Sequence, residues 1–165
     1  MSMDLFLAGM RKVAGAVTVV TTIGSDGERR GLTATAICSL SAEPPSLIAC
    51  VNRKTWVAQF VPASGVFAVN VLSHAQEDVA RAFAGQTALA AGERFSIGEW
   101  QAGATGAPVV RDGLATFECR LERLVHHATH VILIGHVVAT VLGEGHSLVY
   151  VDGGFSPVLR QLSAA

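Results

Sequence analysis

The run Gly31–Asn52, GLTATAICSLSAEPPSLIACVN, sets short hydroxyls and thiols beside a polar turn and a double proline, and Arg53-Lys54-Thr55 follows at once. These residue types do not make a nucleophile with its base. They suit a main-chain cradle, because short side chains let a flat ligand approach backbone N–H and C=O groups without blocking its face. Thr33, Ala34, Thr35, Cys38 and Ser39 on one side of the turn, and Cys50, Val51 and Asn52 on the other, are the candidate ring contacts. Arg53, Lys54 and Thr55 stand where a strand end runs into an expected helix, a setting that suits phosphate. Arg81, in ARAFAG, is a further candidate cation. The plain alternative is a small-residue hairpin packed under a helix, with its charges solvated.

Magnitudes assign the roles within such a cradle. Exposed cations contribute about 0.2–1 kcal/mol each, whereas micromolar affinity needs about −8 kcal/mol. Burying roughly 200 Å² of aromatic ring contributes on the order of 5 kcal/mol before ordering costs. Ring burial must therefore carry the binding, and the cations orient it.

His126, His127, His130 and His136 crowd one stretch. Three imidazoles on one face of an unbroken strand would suit zinc. A turn expected at 126–129 interrupts that strand, and no carboxylate or thiol is suitably spaced, so no metal is expected. His130, at a strand start, reads either as a polar group beside an apolar pocket or as a half-buried histidine bonded to the next loop. The chain lacks GxGxxG, P-loop, GxSxG and CxxC motifs, which leaves Rossmann-type hydride chemistry unsupported. Cys38, Cys50 and Cys119 form neither a zinc motif nor a disulfide framework and suit a reducing cytoplasm.

The elements that must position these residues follow from periodicity. Spacing of Leu5, Leu7, Met10 and Val13 predicts a helix over 4–14. VTVVTT, 17–22, is β-branched and predicts a strand; Gly24, Asp26 and Gly27 mark a hairpin into a strand over 32–37. Pro44-Pro45 lead into a strand over 46–51. Thr55 caps a helix through Phe60, with Trp56 on its buried face. GVFAVNVL, 65–72, is a strand, and Ser73 with Gln76 has capping-box spacing for a helix EDVARAFA. From Gly85 to Ala107 the pattern fails, which predicts a long connection with one short turn. Strands are expected over 115–125, 130–142 and 147–151. Sequential, hairpin-linked strands with two or three short helices predict a mainly β antiparallel barrel.

The chain has 165 residues, one domain's worth, with 50% apolar and 15% charged residues. A typical domain has about 25% charged residues, so a large subunit interface is expected. A net charge of -1 gives no basic field for nucleic acid or a membrane surface. No apolar run reaches the ~18 residues needed to span a bilayer, and the N-terminal charge order is not that of a signal peptide.

GAVTVVTT, GLTATAICSLSAEPPSLIACVN, GVFAVNVLSHAQEDVARAFAG, GAPVV, Cys119-Arg120, THVILIGHV and LVYVDGGF occur in the order found in the short-chain flavin reductase family, which the chain resembles over most of its length. The resemblance implies a single domain over 1–165 with an antiparallel split β-barrel of the Greek-key, FMN-binding type. It implies a homodimer that binds FMN or FAD, takes hydride from NADH or NADPH, and releases reduced flavin to a partner flavin-dependent monooxygenase. It places the flavin ring against Thr33–Ser39 and Cys50–Asn52, phosphate near Arg53-Lys54-Thr55 and Arg81, and the nicotinamide opposite His130. Ala128-Thr129 depart from the family's Gly-Asp before that histidine, which leaves the nicotinamide preference open. Cys38 and the tail YVDGGFSP also depart, the tail by lacking basic residues. The rival reading is a non-catalytic split-barrel module that binds flavin or haem.

Overall fold

The computed structural model describes residues 2–158, so the expected domain over 1–165 extends past the described residues. The β-branched run becomes β2 (Thr18–Ile23), after a short β1 (Gly15–Ala16). A turn with Gly27 at φ 77° returns the chain as β3 (Arg29–Ala34). Then come β4 (Ile37–Ala42), β5 (Pro45–Asn52) and β6 (Val66–Val71). The last third supplies the long hairpin β9 (Ala115–His127) and β10 (His130–Leu142), after the short pair β7 (Trp100–Ala102) and β8 (Pro108–Val110). The main sheet runs β3-β2-β6-β9-β10-β5-β4, antiparallel at every step.

That order explains the shape. The sheet's two edges are β3 and β4, which are consecutive in the chain and joined only through Thr35-Ala36. A two-residue link can join opposite edges only if the sheet curls until they meet. Cys50 N–H donates to Ala36 O at 2.9 Å, which carries the β4–β5 ladder one residue into the crossing. The fold is thus the expected mainly β antiparallel barrel, split at one seam. The single strand expected over 32–37 is corrected: it breaks at Thr35-Ala36, because there the chain leaves one edge for the other. Propensity along TATAI cannot show such a crossing.

Phe67, Val69, Leu133, Val20, Val51 and Cys119 fill the barrel. Helix α2 (Trp56–Ser64) packs on this core through Val57, Ala58 and Val61, none of them more than slightly exposed. Trp56 is 54% exposed, which corrects the expectation that it faces the core. It stands at the first helical position, off the stripe that those three residues make.

A second core lies outside the barrel. Helix α3 (Glu77–Phe83) buries Val79, Ala80, Ala82 and Phe83 against Val17, Val19, Leu72, Phe95 and Leu148. The expected capping box is present: Ser73 N–H donates to Gln76 Oε1 at 3.0 Å, ahead of a 3-10 turn that leads into α3. Strands β1, β11 (Ser147–Val151) and β12 (Gly154–Val158) form a small sheet beside this core, and β12 was not anticipated. The long connection contains a 3-10 turn at Glu93–Ser96 as well as β7.

Two buried polar side chains tie that connection to the barrel. Asn70 donates to Val19 O at 3.0 Å and accepts from Val110 N at 3.0 Å and Thr116 Oγ1 at 3.2 Å. Glu118 accepts from Ala104 N at 3.0 Å, Thr105 N at 2.7 Å and Thr105 Oγ1 at 2.8 Å. Helix α1 (Met3–Arg11) forms as expected, but buries no residue. Among the described residues no helix is long and apolar enough to cross a membrane.

Candidate active site

A cavity of about 480 Å³ opens at the seam, within the usual range for small-molecule sites. One wall is Gly31–Ala36, the end of β3 and the crossing. The facing wall is Cys50, Val51 and Asn52 with Thr55 and Trp56 of the α2 start. Phe83, Ala84, Gly85 and Arg94 close a third side, and His130 stands at the rim.

Each wall is held by identifiable forces. Thr33 Oγ1 donates to Ala80 O at 2.7 Å, tying β3 to α3. Gly31 leaves room for the Phe83 ring, since a Cβ there would lie 2.6 Å from Phe83 Cε1. Gly15 does the same for the crossing, as a Cβ on it would lie 2.8 Å from Thr35 Cβ. Thr55 caps α2: its Oγ1 donates to Asn52 O at 2.7 Å and accepts from Ala58 N at 3.4 Å. Asn52 Oδ1 accepts from Lys54 N at 2.9 Å. The Arg30 guanidinium lies 5.8 Å from the Trp56 ring centroid and 4.9 Å from that of Phe60, stacking on both.

Arg94 supplies an unmet demand. Its Nε is buried and has no hydrogen-bond partner among the described residues. A buried guanidinium nitrogen without an acceptor costs free energy that a bound anion recovers. Electrostatics at the ring wall are quieter. Burial, and secondarily the nearby Cys38 thiol, pushes the Cys50 thiol up from its ordinary range. Cys50 is therefore neutral near pH 7 and puts no thiolate beside the ligand.

Of the residues singled out in the sequence, Thr33, Ala34, Thr35, Cys50, Val51, Asn52, Thr55 and His130 meet at this cavity. Cys38 and Ser39 do not; they lie past the crossing on β4 and line a separate hollow of about 270 Å³ with Pro45, Leu47 and Val137. Arg53 and Lys54 are exposed beside the cavity, outside its lining. Arg81 is occupied elsewhere, donating to Glu77 at 2.6 and 2.9 Å and lying 5.0 Å over Phe155. The cation in the cavity wall is Arg94, which sequence reasoning missed along with Phe83 and Gly85. Its only signal was a charge beside an aromatic, Arg94-Phe95, in an otherwise small-residue run.

The four histidines do not converge on one site. His130 pairs across the hairpin with His127, while His126 pairs with Val131 and so falls on the opposite face. No group of three metal-ligating side chains is found among the described residues.

The structure is an antiparallel split barrel whose edges meet over a cavity lined by main chain and short side chains, with one guanidinium and one imidazole. The chain matches the flavin reductase like domain over residues 10–159, and it belongs to that family. It is 38% identical over 161 residues to the 4-hydroxyphenylacetate 3-monooxygenase reductase component of Escherichia coli, covering 97% of this chain and 94% of that one. It is 39% identical over 156 residues to the FMN reductase (NADH) RutF of Klebsiella pneumoniae, covering 94% and 93%. Among solved structures it is similar to an NADH:FAD oxidoreductase of Streptomyces globisporus C-1027 in complex with NAD and FAD fragments. That match has a TM-score of 0.87 at 30% identity, covering 98% of this chain and 96% of the other.

Proposed function

We propose that the protein is an NADH-dependent flavin reductase that reduces FMN or FAD and supplies the reduced flavin to a partner monooxygenase. The observation that carries this reading is the cavity of main chain and short side chains at the barrel seam, lined also by Arg94, whose buried Nε has no partner among the described residues. The reductase role in the relative from Escherichia coli and the NADH dependence printed for that from Klebsiella pneumoniae support the reaction and the donor.

When bound, the flavin supplies the hydride acceptor. The chain's own residues do the positioning. The main chain of Thr33–Ala36 and Cys50–Asn52 would bound the ring, Trp56 would flank it, and Arg94 would hold the phosphate. His130 orients the nicotinamide at the rim; hydride transfer removes no proton from the donor, so it serves as a hydrogen-bond partner and not as a base. A homodimer is part of the proposal. Leu5, Phe6, Leu7, Met10 and Val13, on and beside α1, are all about half exposed or more, an apolar face that a second copy covers. Sedimentation equilibrium at micromolar protein checks this, and a monomer mass would refute it.

The purified protein should oxidise NADH, read at 340 nm, only when FMN or FAD is added. No oxidation with either flavin, or a Soret band from bound haem, would overturn the reading in favour of a binding module. Arg94→Met should weaken FMN binding by about tenfold or more, the loss of a charge-assisted bond, while riboflavin, which lacks phosphate, binds nearly as before. Equal weakening of both ligands would remove Arg94 from the phosphate.

A further inference from the structure

His130 begins β10 at the cavity rim, and among the described residues its imidazole has one hydrogen-bond partner. Thr129 Oγ1 lies 2.9 Å from His130 Nδ1. Thr129 sits in the two-residue turn between β9 and β10, next to Ala128 at φ 46°. Its carbonyl accepts from Arg53 N at 3.1 Å. The threonine is therefore tied by its main chain to the segment between β5 and α2, while its hydroxyl holds the ring. Asn52 strengthens the same frame: it pairs with His130 across the ladder, and its side chain accepts from Lys54 N. The imidazole and the α2 N-terminus are thus positioned from one piece of backbone.

We infer that Thr129 is a positioning residue that holds His130 by Nδ1 and leaves Nε2 as the nitrogen presented to the hydride donor. The inference rests on the flavin reductase reading above. A hydroxyl both donates and accepts, so it serves either neutral tautomer of the ring. A carboxylate in its place would only accept, and would require a proton on Nδ1. The hydroxyl fixes the ring's direction without fixing which nitrogen bears the proton. Nε2 can then meet a carboxamide through its C=O or through its NH2, the two faces that a nicotinamide amide offers. Donor binding depends on this contact, and hydride transfer itself depends on it less.

Steady-state kinetics with NADH at saturating FMN test this on Thr129→Val, Thr129→Ser, His130→Ala and the Thr129→Val/His130→Ala double variant. Thr129→Val removes the hydroxyl at nearly constant volume, and should raise KM for NADH about two- to tenfold, the scale of one hydrogen bond. The change in kcat should be smaller, and FMN affinity should stay as in the parent. Thr129→Ser should restore KM, and adding Thr129→Val to His130→Ala should change nothing further. A parental KM in Thr129→Val, or an equal rise when His130 is already absent, would overturn the inference. A parental KM in His130→Ala would instead refute the placement of His130 at the donor, and the inference would fall with it.

Discussion

Gly31→Ala is the sharpest test of how the second core shapes the cavity. The added Cβ would lie 2.6 and 2.8 Å from two atoms of the Phe83 ring and 3.3 Å from Thr21 Cγ2. Real Cβ atoms do not approach ring carbons that closely, so the ring must move. Phe83 is 2% exposed, with Phe95 and Trp100 ring centroids 4.9 and 5.1 Å behind it. Overpacking of this kind costs about 1–3 kcal/mol. For a chain of this size that corresponds to a fall in Tm of about 2–12 °C. Because Phe83 also lines the cavity, the displaced ring narrows it, and FMN Kd should rise together with the loss of stability. Thermal unfolding and fluorescence titration with FMN measure both effects. The double variant Gly31→Ala/Phe83→Leu adds a control, since a shorter side chain relieves the clash. Its cost should fall short of the sum of the single costs by about 0.5–3 kcal/mol, the range for residues in contact. Strict additivity, or a parental Tm and Kd in Gly31→Ala, would refute the reasoning.

Glu118 is 3% exposed and accepts three hydrogen bonds from residues 104 and 105. Glu118→Gln turns one acceptor oxygen into a donor that faces N–H groups, and should destabilise by about 1–3 kcal/mol, with faster amide exchange at Ala104 and Thr105; unchanged exchange there would refute the tether. Burial first, and the Glu118 carboxylate second, push the Cys119 thiol from 9.0 up to about 12. A thiol whose folded pKa is raised contributes its stability below pH 9.0 and loses it as pH climbs toward about 12. The urea midpoint of the parent should therefore fall more steeply between pH 9 and 10.5 than that of Cys119→Ala (roughly the lower half of that window), and parallel slopes would refute the assignment.

Strand identity was legible because it is written in local side chains. VTVVTT, GVFAVNVL and HVILIGHVVATVL carry β-branched and apolar residues at strand length, and the expected 130–142 strand coincides with β10. The Ser73–Gln76 box was legible for the same reason, since its two partners lie within one turn. The family was legible from segments strung along most of the chain. Non-local facts were not. That β3 and β4 occupy opposite edges is a property of the whole sheet order, so Thr35-Ala36 read as the middle of a strand. Trp56 read as core because large aromatics usually are, although the core stripe of α2 begins one residue later. Arg94 was hidden in a run without periodicity, because what places it is the contact of the 93–96 turn with Phe83 and the cavity.

The seam itself makes the last prediction. A fully laddered barrel has no edges, and its backbone groups are spent on one another. Here the ladder is interrupted at Thr35-Ala36, where the main chain runs past the end of β5 with Cys50 N bonded to Ala36 O. Such a seam is the part of the barrel with least support, and the part where main chain is free to meet a ligand. A ring bound there replaces missing neighbours on both walls. Amide exchange with and without FMN should therefore show new protection at residues 33–36 and 50–52, with little change along the β9–β10 hairpin away from His130. Protection centred instead on Cys38 and Ser39 would move the ring to the hollow beyond the crossing and refute the seam as the site. Protection at Arg94 and Gly85 that appears with FMN but not with riboflavin would separate the phosphate contact from the ring contact in the same experiment.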